Sequence, residues 1–284
     1  MLRIISKKAI LMKAFKQTSI VFLLSFFSML AHSGEVKELC QAANDSCTFV
    51  LLSEKGKSKN LTSEIITVNE KRANEALSPF STFKVVNSLI ALDLGLIKDA
   101  SQSLTFNKET YPVQAWWPHV WKLPSYNLTT AFKYSMVPIY RQLATNIGEK
   151  NMRAYLKKMQ YGNQDISSGL DSFWLNGSMT ISAKEQVELL SKIYHNQMDF
   201  TDQALSTLKE VMLIETNPNY RIYAKTGAGK VEDGSMLGWY IGFVENATGV
   251  HFFALNFNSP TYAAMKAKRT VLMKNHLKSA GVIK

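Results

Sequence analysis

The chain has 284 residues, of which 46% are apolar and 19% charged, with a formal net charge of +11. These values describe an ordinary globular protein with enough length for one large domain or two closely merged ones. No basic helix and no interleaving of aromatic with basic residues is present, which argues against nucleic-acid binding. No apolar stretch approaches the length of a permanent membrane span.

Residues 1–33 differ from the rest and are typical of a secretory signal peptide. Five basic side chains precede a mostly apolar run at 20–31, and Ala31-His32-Ser33 provides a small-x-small cleavage site. We therefore expect export to the periplasm and a mature catalytic domain, residues 34–284, without a stable membrane anchor. An uncleaved anchor is the alternative, and Met12 is an alternative start.

The mature chain would be less basic than the whole. Without the five basic side chains of residues 1–33, 28 basic and 22 acidic side chains remain, a net charge of +6 that favours anionic small molecules. The two cysteines, Cys40 and Cys47, bracket a short loop. Export would permit a disulfide between them, with unpaired thiols as the alternative. No histidine lies nearby to complete a zinc site, so no metal is expected.

The predicted elements begin and end with strands and are helical between them. In chain order they are strands at 47–53 and 65–68, helices at 81–93, 139–147, 152–159, 182–194 and 203–212, strands at 220–225, 236–245 and 250–257, and a last helix at 263–280. Strands from both chain ends imply one antiparallel sheet. The predicted fold class is therefore α+β, with the sheet flanked by helices, a helical subdomain, and a ligand cleft between the two.

The start of the helix at 81–93 contains a reactive pattern. Ser81 and Lys84 in Ser-Thr-Phe-Lys lie one helical turn apart, which brings a basic amine within reach of a hydroxyl that is otherwise a poor nucleophile. Ser206 and Lys209 repeat this spacing on a helix that we expect to be solvated. Lys225-Thr226-Gly227 occurs once, downstream of the first tetrad. S-x-x-K followed by K-T-G is the pattern of serine enzymes that β-lactams acylate.

Six motifs extend this pattern along the chain. They are Ser81-Thr82-Phe83-Lys84, Ser135-Met136-Val137, Tyr161-Gly162-Asn163, Phe173-Trp174-Leu175, Lys225-Thr226-Gly227 and Gly238-Trp239-Tyr240. With these motifs, the chain resembles the class D (oxacillinase-type) serine β-lactamases over essentially its whole mature length. Val137 is apolar where class A enzymes have asparagine, and no Glu-x-x-Leu-Asn element is present. Both features favour class D over class A.

The resemblance implies hydrolysis of β-lactam antibiotics through an acyl-enzyme on Ser81. Burial would lower the pKa of Lys84, and the neutral amine would take up CO2 to form N6-carboxylysine, the base for acylation and deacylation. No other cofactor is implied. Trp174, Val137 and Leu175 would support the carbamate, Trp174 as an indole N–H donor.

The remaining implied roles concern protons and substrate. Ser135 would relay a proton to the lactam nitrogen with help from Lys225. The backbone N–H groups of Ser81 and Ala228 would form the oxyanion hole. The substrate-binding residues implied are Val137, Thr226, Gly227, Ala228 and Arg269. Arg269 would bind the substrate carboxylate, although a solvated basic face is the alternative for this helix. Tyr161-Gly162-Asn163 is expected to form a structural turn.

Two other functions share the reactive serine and lysine. A penicillin-binding transpeptidase or carboxypeptidase would act on peptidoglycan stem peptides. A β-lactam sensor domain would be acylated without turnover and would signal through a transmembrane partner. The short N-terminal apolar run and the absence of further apolar spans favour the hydrolase. The sequence leaves the oligomeric state open.

Overall fold

A six-stranded antiparallel sheet forms the centre of the fold. The computed structural model describes residues 39–40, 46–56, 62–175 and 177–284, so the predicted signal peptide lies outside the described residues. The described strands are β1 (Cys47–Lys55), β2 (Thr62–Val68), β3 (Ser103–Leu104), β4 (Tyr126–Asn127), β5 (Leu213–Thr216), β6 (Tyr220–Lys230), β7 (Met236–Asn246) and β8 (Gly249–Ser259). The sheet order is β2-β1-β8-β7-β6-β5, while β3 and β4 form a separate pair. The prediction of a sheet assembled from both chain ends is confirmed.

Helices cover the two faces of this sheet. They are α1 (Glu70–Ala73), α2 (Lys84–Asp93), α3 (Leu128–Lys133), α4 (Val137–Ile147), α5 (Glu149–Met159), α6 (Ala183–Tyr194), α7 (Asp202–Met212) and α8 (Tyr262–Ser279), with 3₁₀ turns at Phe80–Phe83 and His119–Trp121. The α+β class is confirmed. The helical middle and one sheet face share a hydrophobic core, and α8 closes a second core on the other face. Because both faces are covered, β7 and β8 are almost continuously buried.

The second S-x-x-K pair belongs to a structural helix. Ser206 donates a hydrogen bond to the carbonyl of Gln203 within α7, and Lys209 forms an ion pair with Glu245 of β7. The Lys209 ammonium also lies over the rings of Tyr194 and Tyr223. These contacts connect α7 to the sheet. Ser206 is exposed and Lys209 partly exposed, so the two side chains lie on the solvated side of the helix, as expected.

The two cysteines form a disulfide that fastens the beginning of the described chain to α8. The Cys40 and Cys47 Cα atoms are 5.4 Å apart. The Cys40 N–H donates to His276 Nε2 over 2.9 Å, and the His276 ring stacks on Phe49. Burial lowers the pKa of His276 to about 4, so the ring is a neutral acceptor at neutral pH. None of the described helices combines the length and the apolar character needed to cross a membrane.

Candidate active site

Ser81 lies in a tight turn immediately before helix α2. The turn Phe80–Phe83 is 3₁₀, so the regular helix predicted to begin at Ser81 instead begins at Lys84. Phe80, the residue before Ser81, has a left-handed φ of 47°. Such a conformation is unfavourable for a bulky residue and is retained where surrounding contacts impose it.

Two groups of contacts hold the reactive turn in place. Thr82 Oγ1 donates to the Pro79 carbonyl and accepts a hydrogen bond from Gln186 of α6. From the sheet, Trp239 Nε1 donates to the Ser78 carbonyl over 3.0 Å. Trp239 belongs to the Gly-Trp-Tyr motif of β7, so that motif anchors the segment that carries Ser81.

The turn lies unusually close to strand β6. A Cβ at Gly229 would be 1.9 Å from the Phe80 ring, and one at Gly227 would be 2.9 Å from the Pro79 carbonyl oxygen. Both positions therefore need glycine for the reactive turn to approach the strand. This approach brings the turn that carries Ser81 next to the Lys-Thr-Gly segment.

Ser81 and Lys84 form a close hydroxyl–amine pair. Lys84 Nζ is 2.8 Å from Ser81 Oγ. The Lys84 side chain is fully buried, with its amine 5.2 Å from the centre of the Tyr140 ring. Burial disfavours the ammonium form and lowers the pKa of Lys84 from 10.5 to about 7. Near neutral pH this amine can therefore accept a proton.

A second hydroxyl–amine pair faces the first. Lys225 Nζ donates to Ser135 Oγ over 3.0 Å and to the Thr226 carbonyl over 2.9 Å. Burial, followed by repulsion from Lys84 and Arg269, holds the pKa of Lys225 well below its usual value. Ser135 has a left-handed φ of 55° between α3 and α4. The pair can therefore release a proton more readily than an exposed lysine could.

The free edge of β6 forms one wall of the site. Strand β5 pairs with β6 only as far as Tyr223, and no described strand continues along that edge. The backbone from Lys225 to Ala228 therefore borders the cleft without a neighbouring strand on this side. Arg269 of α8 donates to the Gly227 carbonyl over 2.9 Å. This bond fixes a cation beside the edge.

These groups surround a cleft of about 640 Å3. The predicted site residues that line it are Ser81, Ser135, Val137, Leu175, Thr226, Gly227, Ala228 and Arg269. Lys84, Trp174 and Lys225 lie buried behind this surface. The two hydroxyls thus open onto the cleft while their amines stay beneath it. Its described lining residues include no aspartate or glutamate, so the cleft is electropositive.

A buried aromatic cluster is built around Phe83, the residue that precedes Lys84. Phe83 stacks on Trp174 and meets Phe173 edge to face. Trp174 is fully buried, and its Nε1 has no hydrogen-bond partner among the described residues. A buried N–H without an acceptor costs free energy, so the Trp174 N–H indicates a position in this cluster where an acceptor would be stabilised. Tyr161-Gly162-Asn163 forms a turn, in which Asn163 bonds to Ser178 and Thr180.

Six residues that line the cleft are absent from those predicted above: Trp116, Pro118, Trp121, Tyr134, Tyr262 and Lys266. The spacing of Tyr262, Lys266 and Arg269 by four and three residues puts them on one face of α8, so it could have identified two of the six. Tyr134 directly precedes Ser135 but belongs to no motif. The described residues contain no group of three or more His, Cys, Asp or Glu side chains placed to hold a metal ion.

The fold and the paired Ser–Lys groups place the chain in a known class. Residues 42–278 match the penicillin-binding protein transpeptidase domain. Three class D β-lactamase structures share its architecture. They include OXA-85 of Fusobacterium nucleatum, with a TM-score of 0.73, 29% identity, and coverage of 84% of this chain and 93% of that one. The Bacillus subtilis enzyme has a TM-score of 0.71 and 31% identity, and the match covers 84% of this chain and 92% of that one. The Sebaldella termitidis enzyme has a TM-score of 0.74 and 27% identity, with the same coverage of the two chains.

Sequence relatives narrow the class. β-Lactamase OXA-48 of Klebsiella pneumoniae is 43% identical over 76% of this chain and 79% of its own length. OXA-10 of Pseudomonas aeruginosa is 34% identical over 90% of this chain and 88% of its own length. The probable β-lactamase YbxI of Bacillus subtilis is 35% identical over 76% of this chain and 76% of its own length. The chain belongs to the class D β-lactamases.

Proposed function

We propose that this protein hydrolyses β-lactams through an acyl-enzyme on Ser81. The observation that carries the proposal is the 2.8 Å approach of Ser81 Oγ to a buried amine with a pKa of about 7. An adjacent base is what a serine hydroxyl needs to become a nucleophile at neutral pH. The relatives named above are β-lactamases, which supports the same reaction here.

Acylation uses both hydroxyl–amine pairs. Lys84 accepts the Ser81 proton as Oγ attacks the lactam carbonyl carbon, and the backbone N–H groups of Ser81 and Ala228 bind the developing oxyanion. The lactam C–N bond then breaks, and the nitrogen takes a proton from Ser135. Ser135 is reprotonated by Lys225, whose Nζ already donates a hydrogen bond to Ser135 Oγ. Before deacylation, Lys84 passes the proton it took from Ser81 to the Lys225 amine, which gave up its own proton during acylation. The base at position 84 then takes a proton from water as the water oxygen adds to the ester carbonyl carbon, and it returns this proton to Ser81 Oγ as the ester C–O bond breaks.

The surroundings of Lys84 fit a carbamate formed from CO2. An amine with a pKa of about 7 is partly neutral at physiological pH, which carbamate formation requires. When bound, CO2 would supply an anionic base in place of the neutral amine. Trp174 Nε1 offers a buried donor that has no partner among the residues the structure describes, and Lys225 lies close enough to Lys84 for their charges to interact. Val137 and Leu175 would keep water from the amine at the cleft surface.

The substrate carboxylate binds at the β6 edge. Thr226 and Gly227 line the cleft there, and Arg269 is held beside them by the Gly227 carbonyl. A guanidinium so fixed can bind a carboxylate with less loss of side-chain entropy than a free one. Val137 and Leu175 add apolar surface to the lining of the same cleft.

We also propose that the protein acts in the periplasm. Residues 1–33 would be its signal peptide, and residues 34–284 the mature catalytic domain without a stable membrane anchor. The Cys40–Cys47 disulfide supports this location, because disulfides persist in oxidising compartments. Cell fractionation of a host that expresses the full chain, with N-terminal sequencing of the released protein, tests the location and the cleavage site.

A second candidate function is acylation without turnover, as in a penicillin-binding transpeptidase or a β-lactam sensor. It is favoured by the match to the transpeptidase domain over residues 42–278. Steady-state hydrolysis of benzylpenicillin by the purified mature protein distinguishes the two. Many turnovers per protein molecule support the hydrolase. A single acyl adduct on Ser81, seen by intact-protein mass spectrometry without further product, would support the second function and overturn the first.

A further inference from the structure

One face of α8 brings two cations to the cleft. Tyr262, Lys266 and Arg269 all line it, at spacings that put their side chains on the same side of the helix. Arg269 is tied to the β6 edge at Gly227. Its Nε is buried and has no hydrogen-bond partner among the described residues. Lys266, one turn nearer the start of the helix, is exposed and forms no ion pair with the described residues.

The contacts of α8 fix where Lys266 lies relative to Arg269. Met265 packs on Gly238, so closely that a Cβ there would be 2.6 Å from its side chain. Gly238 is the partner of Ala228 across the β6–β7 ladder. The helix therefore passes Ala228 at Lys266 and Gly227 at Arg269. Lys266 borders the part of the cleft beyond Ala228, farther along β6 from Lys225.

The charges of the cleft exceed those of a substrate with one carboxylate. Lys225 is a buried cation, Arg269 is a partly buried one and Lys266 is exposed, and no carboxylate is among the described lining residues. A single ring carboxylate bound at Arg269 leaves the charge of Lys266 unpaired. Complementary charge across a binding surface favours the partner that supplies the matching charge.

From this arrangement we infer that Lys266 is a specificity-determining residue that binds a second anionic group on the substrate side chain. The cleft thus favours β-lactams with two carboxylates over those with one. This inference rests on the proposed function, because it takes the ring carboxylate to bind at Arg269. Lys266 has no part in the proton transfers described above.

Two penicillins that differ by one carboxylate test the inference. Carbenicillin is benzylpenicillin with an added carboxylate on its side chain. We would measure kcat/KM for both with the mature wild-type chain, Lys266→Met and Lys266→Glu. The carbenicillin-to-benzylpenicillin ratio should fall about three- to tenfold in Lys266→Met and further in Lys266→Glu. Added salt should lower the wild-type ratio, because it screens exposed charges. Lys268→Met, an exposed lysine of α8 outside the cleft lining, should keep the wild-type ratio.

The outcomes separate this inference from the proposed function. Hydrolysis of both compounds with the same ratio in wild type and both Lys266 variants would overturn the inference alone. If the compounds only acylate the protein, the ratio of acylation rates, followed by mass spectrometry, replaces the ratio of kcat/KM and is read in the same way. Acylation by neither compound would overturn the inference together with the proposed function.

Discussion

Replacing Lys84 with methionine should stabilise the protein while it abolishes turnover. The fully buried amine has a pKa of about 7 in the folded protein against a usual value of 10.5. Below pH 7 the folded state must therefore bury an ammonium that the unfolded state keeps in water. The difference in pKa corresponds to roughly 4 to 5 kcal/mol at about 1.4 kcal/mol per pH unit. Methionine avoids this cost, although the loss of the hydrogen bond with Ser81 destabilises the variant by about 1 kcal/mol.

The sign of the pH dependence follows from proton binding. Between pH 7 and 10.5 the unfolded chain binds one more proton at Lys84 than the folded chain does. The contribution of Lys84 to the free energy of unfolding of the wild-type protein therefore rises with pH between 7 and 10.5. The advantage of Lys84→Met should be about 3 to 4 kcal/mol below pH 7 and should decline by about 1.4 kcal/mol per pH unit above it.

Urea unfolding at pH 6.5, 8 and 9.5, in buffers freed of CO2, measures this difference. The removal of CO2 matters because a carbamate would change the charge of the group under study. Lys157→Met, which removes an exposed amine from α5, is the control and should show no such decline with pH. A Lys84→Met variant that is less stable than wild type at pH 6.5, or whose advantage is the same at all three pH values, would refute the burial argument.

Three further predictions concern catalysis and the reactive turn. Wild-type kcat/KM should fall as the pH drops through about 7, because Lys84 becomes protonated. Bicarbonate should restore the activity that is lost on acidification or on removal of CO2. The Lys84→Ala variant should show no activity with or without bicarbonate. A lack of response to bicarbonate would indicate an unmodified lysine. Ser135→Ala should slow acylation about 100-fold or more in stopped-flow measurements, and wild-type rates would contradict the proton relay. Gly229→Ala should lower the free energy of unfolding by about 1 to 3 kcal/mol and impair acylation, because its Cβ would overlap the Phe80 ring. An unchanged melting temperature together with an unchanged acylation rate would contradict this prediction.

The sheet could be predicted because its strands are long and apolar. The strands predicted at 236–245 and 250–257 agree closely with β7 and β8, whose residues are buried on both faces. Strand β5 was not predicted, since it has four residues, exposes Leu213 and Ile214, and pairs with β6 across a register shift. Its existence depends on the β6 edge and not on its own pattern.

Local hydrogen bonding accounts for a further omission and for one success. Helix α6 was predicted from its Ser182–Glu185 capping box, which forms as expected. Helix α3 begins with an equivalent box, in which Asn127 and Thr130 exchange hydrogen bonds. Its six residues are too few for a clear apolar period, so the short helix was missed.

In the active site, too, contacts set by sequence spacing could be predicted, whereas contacts set by tertiary packing could not. The distance between Ser81 and Lys84 follows from their sequence spacing, and the structure brings them to 2.8 Å. The pairing of Lys225 with Ser135, 90 residues away, depends on how the sheet meets the helices. The sequence could not decide which of the basic residues of α8 face the cleft, because the packing of α8 on β7 determines that Lys266 and Arg269 do.

The two buried amines act on one another, and this coupling gives the proton transfers a direction. Repulsion from Lys84 is one of the causes that lower the pKa of Lys225. When the base at position 84 accepts the Ser81 proton, its charge rises by one, whether it began as a neutral amine or as an anion. In either case the same change makes Lys225 more acidic at the moment the lactam nitrogen needs a proton through Ser135. Among the described residues that line the cleft there is no carboxylate to offset this change in charge. An acidic residue placed between the two lysines would therefore weaken the coupling, even if both Ser–Lys distances were preserved.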